Sequence, residues 1–331
     1  MFRSGSDSGI FPSVQTQAAP SATGKALGFL MFGVAAGLTL DLCAKALLVT
    51  YPLNQFVLLR SLIGLVMFLV LAPRFGGLGS LRTRRWQWHL LRTLLAAGSM
   101  FGFFFGLSQM PLVNALTLAF TAPLMVTALS VPLLGEQVGW RRWTAVIVGF
   151  GGVLLIIRPG VQGFTVASFA VLFAGFCYAL LAITARKLAD TESSYSLSVY
   201  VIAGPLIAAA IAGATDPWVA PDARGWVLFV AAGACSVGAW IGIVGAYRRA
   251  PPAMLAPFEY TAIVGGTIAG FLIWNEKPDA WVIAGALVIT ASGIFVAYRE
   301  IDTSVSARYL RAVTATVSAR IGRRRDRNRD A

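Results

Sequence analysis

Charged residues are scarce in this chain: they make up 12% of its 331 residues, whereas an average soluble domain carries about 25%. Apolar residues make up 57%, and they form runs of about 20 residues, the length that spans a bilayer as a helix. A water-soluble protein of this size needs polar side chains to cover its core. The composition therefore excludes an ordinary soluble domain and predicts a protein embedded in a lipid bilayer.

Histidine and cysteine are also scarce. The single histidine, His89, cannot build a metal site alone. Three cysteines lie within apolar runs and lack metal-binding spacing: Cys43, Cys177 and Cys235. The sequence shows no Ser/His pair, HExxH motif or pair of carboxylates typical of a catalytic centre. We therefore expect no metal and no other cofactor, and we predict that the protein is not an enzyme.

The few charged residues are mostly basic: 27 Lys and Arg face 14 Asp and Glu, for a net charge of +13. They lie between the apolar runs and in the carboxyl-terminal tail rather than on one groove-sized face, so we expect no nucleic-acid partner. Placing both termini in the cytoplasm puts most Lys and Arg on the inner side, as the positive-inside rule requires. The sequence thus predicts a multi-pass protein in contact with membrane lipid, with both termini cytoplasmic.

Ten apolar segments have the length of membrane-spanning helices. They lie near residues 26–49, 55–73, 90–110, 112–134, 143–158, 164–185, 195–214, 226–246, 251–274 and 280–298. The segments do not show the alternation of polar and apolar residues that is typical of β-barrel strands. The predicted fold class is therefore an all-α polytopic membrane protein with ten transmembrane helices.

The second half of the chain repeats the first. When the halves are aligned on each other, Pro111 meets Pro251, Thr121 meets Thr261, Glu136 meets Glu276, and Gly152 meets Gly293. Since each half contains five helices, an odd number, the second half must be inverted in the membrane. The loop charges agree, because residues 248–249, both arginine, correspond to the uncharged residues 108–109. Secondary transporters use such inverted repeats for alternating access to a site at the bilayer midplane.

The repeats divide the chain into four segments. Residues 1–24 are rich in small and polar residues, which predicts a disordered cytoplasmic tail. Residues 25–158 form the first predicted repeat and residues 159–299 the second. Residues 300–331 form a basic cytoplasmic tail, for which a helix lying on the inner leaflet and a disordered segment are both open.

Several motifs fall within the predicted spans. They are the pair Asp41-x-x-x-Lys45, Arg60, the segment Ala122-Pro123 closing on residues 134–136, and the segment 256–259 closing on residues 274–276. Over about residues 25–299 the chain resembles the EamA-type family of the drug/metabolite transporter superfamily. The resemblance implies a bacterial inner-membrane carrier of small metabolites or drugs. One departure is that Pro123 and Pro257 do not coincide when the halves are aligned, so the two halves would break at different depths.

Four charged residues lie inside the predicted spans: Asp41, Lys45, Arg60 and Glu259. Each costs about 2.5–3.5 kcal/mol at the bilayer centre, so they must be paired or hydrated. Asp41 and Lys45 are one helical turn apart, acid first, which favours an ion pair. In one interpretation, Asp41 neutralises both Lys45 and Arg60 and locks the first two helices together. In the other, one acid against two bases leaves a spare positive charge that a substrate carboxylate or phosphate completes.

Glu259 lies near the midplane just after Pro257, where the lost backbone hydrogen bond can open the helix. Its role is open between proton coupling, a neutral carboxyl bonded to a freed carbonyl, and cation binding. Pro123 is the second candidate helix break. The further candidates for cavity residues are Tyr178, Tyr260, Trp240 and Asn114.

The sequence therefore predicts a secondary transporter that moves a small organic metabolite across the inner membrane. The spare positive charge favours an amino-acid-like, anionic, zwitterionic or vitamin-like solute. The resemblance also allows riboflavin uptake, S-adenosylmethionine uptake, and drug or metabolite export; an ion channel and a membrane scaffold are the alternatives from other classes. Protons are a candidate coupling ion. Monomer and homodimer are both open, because one chain supplies both halves.

Overall fold

The structure is a computed structural model, which describes residues 20–75, 77–135, 138–158, 165–188, 191–247, 249, 255 and 258–298. Its α-helices are α1 (Pro20–Leu47), α2 (Leu53–Leu71), α3 (Trp86–Gln109), α4 (Leu112–Ala119), α5 (Ala122–Leu134), α6 (Trp140–Ile157), α7 (Val166–Leu188), α8 (Ser194–Ala212), α9 (Ala223–Tyr247), α10 (Thr261–Trp274) and α11 (Ala280–Tyr298). Short 3-10 helices follow α2 and α8. No strand occurs within these ranges.

The helices coincide with the predicted spans. Within the described ranges, nine helical stretches are long and apolar enough to cross a membrane, with α4 and α5 forming one of them, and α10 is a shorter apolar helix of 14 residues. Of the predicted ninth span, residues 251–254 and 256–257 lie outside the described residues. The predicted all-α polytopic fold class is confirmed.

The amino-terminal boundary needs a correction. The predicted tail of residues 1–24 is wrong at its end, because α1 already begins at Pro20. Proline is tolerated in the first turn of a helix, since its missing N–H would have no partner there. Residues 1–19 and the predicted basic tail at residues 300–331 lie outside the described residues.

Two pairs of closely packed helices have their closest contacts at corresponding positions of the two halves. Between α3 and α7, a Cβ atom at Gly102 would lie 2.6 Å from the carbonyl oxygen of Ala170 and 3.2 Å from the Cβ of Ala174. Between α9 and α1, a Cβ atom at Gly242 would lie 2.5 Å from the backbone of Gly33. In the alignment of the two halves, Gly242 is the counterpart of Gly102, and Gly33 is the counterpart of Ala174. The first helix of each half therefore packs against the third helix of the other half.

The other helices complete the bundle around these two pairs. Helix α2 contacts both α8 and α9, and α4 contacts both α7 and α10. Helices α6 and α11 also approach closely, since a Cβ atom at Gly152 would lie 2.9 Å from Ile289 and 3.0 Å from the carbonyl oxygen of Gly285. Because lipid provides no hydrophobic force between helices, such close glycine contacts are how membrane helices gain packing energy. Helices α4 and α10 thereby meet in the middle of the bundle.

Candidate functional site

The fourth span is interrupted in its middle. Helix α4 ends at Ala119 and α5 begins at Ala122, so Pro123 lies in the first turn of α5. Proline has no N–H to donate to the carbonyl four residues earlier, which is that of Ala119. The Leu118 carbonyl, by contrast, accepts both the Thr121 hydroxyl at 2.6 Å and the Thr121 N–H at 3.2 Å. The break therefore exposes backbone carbonyls inside the protein, which a membrane protein tolerates where they line a cavity.

A matching interruption precedes α10. Tyr260 forms a turn between residues 258–259, which are helical, and α10. The Thr261 hydroxyl donates a 2.6 Å hydrogen bond to the Phe258 carbonyl, as Thr121 does in the first half. Phe120 and Tyr260 are counterparts in the two halves, and their ring centroids lie 4.9 Å apart. The two interruptions therefore lie next to each other in the bundle. Pro257, the second predicted helix break, lies outside the described residues.

A cavity of about 320 Å³ adjoins the break in the fourth span. Its walls come from the middle turns of α3 and α7, from the α4–α5 junction, and from one acidic residue before α10. The lining residues are Ser99, Phe103, Ala119, Phe120, Ala122, Pro123, Ala174, Gly175, Tyr178 and Glu259. Its volume falls within the range of about 300–1,000 Å³ that small-molecule sites occupy.

The cavity combines one carboxylate with aromatic faces. Glu259 is half-buried, and it lines the cavity together with Phe103, Phe120 and the 57% exposed Tyr178. The Ser99 hydroxyl adds a small polar group. A carboxylate attracts a positive group, and aromatic faces stabilise a cation through their quadrupole while they cover an apolar body. Chemically, this arrangement suits a small organic solute with a positive charge.

Lys45 has a partner that the sequence analysis did not assign to it. Its ammonium forms an ion pair with Oε1 of Glu276 and donates a 3.1 Å hydrogen bond to the Met110 carbonyl. Oε2 of Glu276 accepts a 2.8 Å hydrogen bond from the Leu112 N–H, and Trp274 lies 5.5 Å from the Lys45 ammonium. The predicted pairing of Lys45 with Asp41 is therefore wrong. The count of one acid against two bases changes as well, because Glu276 supplies a second carboxylate from outside the predicted spans.

Asp41 and Arg60 remain as a separate, half-buried pair of opposite charges on α1 and α2. They attract each other electrostatically, but among the described residues no ion pair within 4.0 Å joins them. The Arg60 Nη1 donates to the Met100 Sδ at 2.8 Å, and its guanidinium lies 5.6 Å from the Phe104 ring centroid. A thioether is a weak acceptor, so Arg60 is poorly satisfied by its protein neighbours.

The other predicted cavity residues are distributed unevenly. Tyr178 and Pro123 line the cavity with Glu259. Tyr260 is 6% exposed, places its hydroxyl against Gly293 of α11, and is not among the residues that line the cavity. Trp240 and Asn114 are half-buried and do not line the cavity. Trp240 packs edge-to-face on Phe68, with ring centroids 4.9 Å apart.

Outside the spans, a buried acidic residue ties two loops together. Burial disfavours the charged form of Glu192, but hydrogen bonds from Thr83, His89 and Ser196 outweigh it and hold the pKa of Glu192 below its usual value. The Thr83 hydroxyl lies 2.6 Å from Oε1 of Glu192, and the His89 Nε2 lies 3.3 Å from its Oε2. The loop before α8 is therefore fastened to the loop before α3.

The sequence of this chain is similar to those of known membrane transporters. Residues 25–158 match the model of the EamA-like transporter family. An S-adenosylmethionine uptake transporter of Rickettsia bellii is 27% identical over 83% of this chain and 94% of its own length. A riboflavin transporter of Vibrio cholerae is 29% identical over 76% of this chain and 85% of its own length. A pseudopaline exporter of Pseudomonas aeruginosa is 26% identical over 74% of this chain and 86% of its own length.

A solved structure supports the fold. A protein crystal structure superposes with a TM-score of 0.61 over 87% of this chain and 99% of the other, at 19% identity. The helical bundle and the relatives together define a multi-pass bacterial membrane transporter and not an enzyme. The match of residues 25–158 to the EamA-like transporter model confirms the predicted resemblance.

Proposed function

We propose that the protein is a secondary carrier of a small organic solute that bears a positive charge, and that the cavity at Glu259 binds this solute. The observation that carries the proposal is a carboxylate that lines a cavity with three aromatic residues, Phe103, Phe120 and Tyr178. A sulfonium or ammonium group would contact the carboxylate, and a flat or apolar body would lie against the rings.

The names of several relatives are consistent with such a solute. Relatives in Rickettsia bellii and Rickettsia prowazekii are named S-adenosylmethionine uptake transporters, at 27% and 28% identity. S-Adenosylmethionine carries a sulfonium charge and a flat adenine ring, which are the two features that the cavity complements. It is therefore the first probe for this chain. Riboflavin, which is flat but has no cationic group, tests whether the aromatic faces alone are sufficient.

Proton coupling follows from the same carboxylate. A proton and the cationic solute compete for Glu259, so the carrier binds one or the other. It then carries protons in one direction and solute in the opposite direction, and the proton gradient drives the transport of the solute. The break between α4 and α5 and the turn at Tyr260 supply hinges at which the two halves could rock. Access to the cavity would then alternate between the two sides of the inner membrane.

The binding proposal is tested by counterflow. Proteoliposomes loaded with unlabelled S-adenosylmethionine should accumulate the labelled compound transiently and with saturation, because a carrier exchanges solute for solute. Riboflavin and a pool of amino acids serve as parallel probes. Flux that follows the membrane voltage without exchange would identify a channel instead, and the absence of counterflow with every cationic probe would contradict the proposal.

The orientation proposal places both termini in the cytoplasm and the second half inverted. Single cysteines introduced at Gln109 and at Arg249, in a background without Cys43, Cys177 and Cys235, should be labelled from opposite sides of the membrane. We expect an impermeant maleimide to label residue 109 in intact cells and residue 249 only after permeabilisation. Labelling of both positions from the same side would overturn the inverted arrangement.

A further inference from the structure

Arg60 is poorly satisfied by its neighbours in the described part of the bundle. Its Nε is buried and has no hydrogen-bond partner among the described residues. Its Nη1 has only the Met100 sulfur as an acceptor, at 2.8 Å, and the face of Phe104 lies below its guanidinium. Buried polar groups in native proteins are normally paired, and an unpaired one calls for an explanation such as an ion or a ligand. Arg60 therefore lacks an anion.

Asp41 lacks a partner in the same way. Its carboxylate accepts no hydrogen bond from any described residue, and it is only half-buried. It lies on the side of α1 that packs into the bundle, because Leu38, one turn before it, lies against Gly265 of α10 and packs on the core cluster that includes Leu116 of α4. Lys45, one turn after it, is occupied by Glu276. Asp41 and Arg60 thus present one negative and one positive group that are near each other but do not pair directly.

Helix α3 connects this charge pair to the cavity, because neighbouring residues of α3 contact each of them. Ser99 and Phe103 of α3 line the cavity, whereas the next residues along the chain, Met100 and Phe104, contact Arg60. Consecutive residues of a helix are about 100° apart around its axis and at nearly the same height. The rings of Phe103 and Phe104 have centroids 5.3 Å apart. Arg60 of α2 therefore lies at the same height as the cavity, against the face of α3 that is next to the cavity-lining face.

We propose that Asp41 and Arg60 form a second subsite of the carrier, which binds the amino-acid end of a zwitterionic solute. The carboxylate of the solute binds the Arg60 guanidinium, and its α-ammonium binds Asp41. This inference rests on the proposed function, in which Glu259 receives a positive group elsewhere on the same solute. It narrows the substrate class to compounds that carry both an α-amino-acid group and a second cationic group.

The test compares matched probes with and without a carboxylate. The purified full-length protein is titrated with S-adenosylmethionine and its decarboxylated form, with arginine and agmatine, and with lysine and cadaverine. The wild type should bind each amino acid at least about tenfold more tightly than its decarboxylated partner, since a charge-assisted hydrogen bond contributes about 1.5–3 kcal/mol. Arg60→Gln should abolish this preference, and Arg60→Lys should restore part of it. Asp41→Asn should weaken binding of both members of each pair, because the decarboxylated compound keeps the ammonium group that Asp41 binds.

A stability measurement distinguishes a binding role from a structural one. If Arg60 exists to bind solute, Arg60→Gln should leave the melting temperature of the ligand-free protein unchanged or higher, because an unpaired buried charge is removed. The matched control is Arg92→Gln: Arg92 is 5% exposed, and it donates hydrogen bonds to the Leu181 carbonyl and the Thr184 hydroxyl. This control should lower the melting temperature. A similar fall for Arg60→Gln would show that Arg60 only locks α2 to its neighbours.

The outcomes separate this proposal from the one on Glu259. The subsite is overturned if binding depends on Glu259 but does not favour the carboxylate-bearing probes, or if that preference persists in Arg60→Gln. Either result leaves the proposal that the cavity binds a cation at Glu259 unaffected. A panel in which no probe binds overturns both proposals together. A preference that disappears in Arg60→Gln while Glu259→Gln weakens each pair equally supports both.

Discussion

Glu259→Gln is expected to reduce counterflow of S-adenosylmethionine roughly 30-fold or more. The carboxylate is the acidic group that lines the cavity, and losing one partner of a close charge pair costs about 2–5 kcal/mol. The substitution keeps the size and the hydrogen-bonding capacity of the side chain. Binding should therefore fall while the melting temperature does not, since a neutral amide is less costly inside a membrane than a carboxylate. Equilibrium binding and counterflow in proteoliposomes measure the two effects.

The pH dependence gives this prediction a second readout. Protons neutralise the carboxylate and so compete with the cation, which means that solute binding by the wild type should weaken as the pH falls. In Glu259→Gln the residual binding should depend less on pH over the same range. The control is Asp279→Asn, because Asp279 is outside the spans with its side chain 46% exposed, and the hydrogen bond from Arg158 holds its pKa low. Counterflow by Glu259→Gln at the wild-type rate would refute the cavity as the binding site.

The helices were predictable because their signal is local. Runs of apolar residues of bilayer length must become helices in lipid, since their backbone groups have no other partner. Among the described residues, the outer bounds of the helices differ from the predicted spans mainly at ends such as Pro20, where propensity and capping decide the boundary. The internal duplication was also visible, because the close-packed Gly33 and Gly242 occupy positions that small residues also fill in the other half.

The walls of the cavity were not predictable in the same way. Ser99, Phe103 and Gly175 look like ordinary residues of apolar helices, and their position in the cavity depends on how α3 and α7 cross beside the break. That crossing is set by glycine contacts between helices distant in the sequence. Glu259 stood out because a carboxylate is rare inside a membrane, Pro123 because it removes a backbone hydrogen bond, and Tyr178 because it adds a hydroxyl to an apolar helix. Tyr260 stood out for the same reason, yet its hydroxyl lies against Gly293.

The partner of Lys45 could have been found from topology alone. Lys45 lies near the end of α1, and Glu276 follows the end of α10, so inverted repeats bring both to the same side of the membrane. The acid one turn away, Asp41, was the nearer neighbour in sequence. An intrahelical pair contributes only about 0.2–0.5 kcal/mol, however, whereas Glu276 also accepts the N–H of Leu112 at the start of α4. Glu276 is therefore the more favourable partner for Lys45, because it pairs with the ammonium and accepts the Leu112 N–H, whereas Asp41 would satisfy the ammonium alone.

Lys45→Met is expected to cause the largest loss of stability among these variants. The side chains of Lys45 and Glu276 are only 11% and 16% exposed, and removing one partner of a buried ion pair costs about 3–5 kcal/mol. Because Glu276 keeps the hydrogen bond from Leu112, we expect the lower end of this range. For a domain of this size, that corresponds to a fall of roughly 6–12 °C in melting temperature. Thermal unfolding of the purified protein in detergent measures it.

The double variant Lys45→Met with Glu276→Gln distinguishes a lost pair from lost packing. Glutamine keeps an oxygen for the Leu112 N–H but carries no charge, so most of the stability should return, to within about 1 kcal/mol of the wild type. Lys277→Met is the control, because Lys277 is exposed next to Glu276 and should change the melting temperature little. If the double variant were as unstable as Lys45→Met, the contact of the Lys45 stem with Trp274 would matter more than the charges. Recovery would instead show that Lys45→Met is unstable because it leaves the buried Glu276 carboxylate without a counter-charge. The ion pair between Lys45 and Glu276 would then be what holds α1 to the start of α4 and the end of α10.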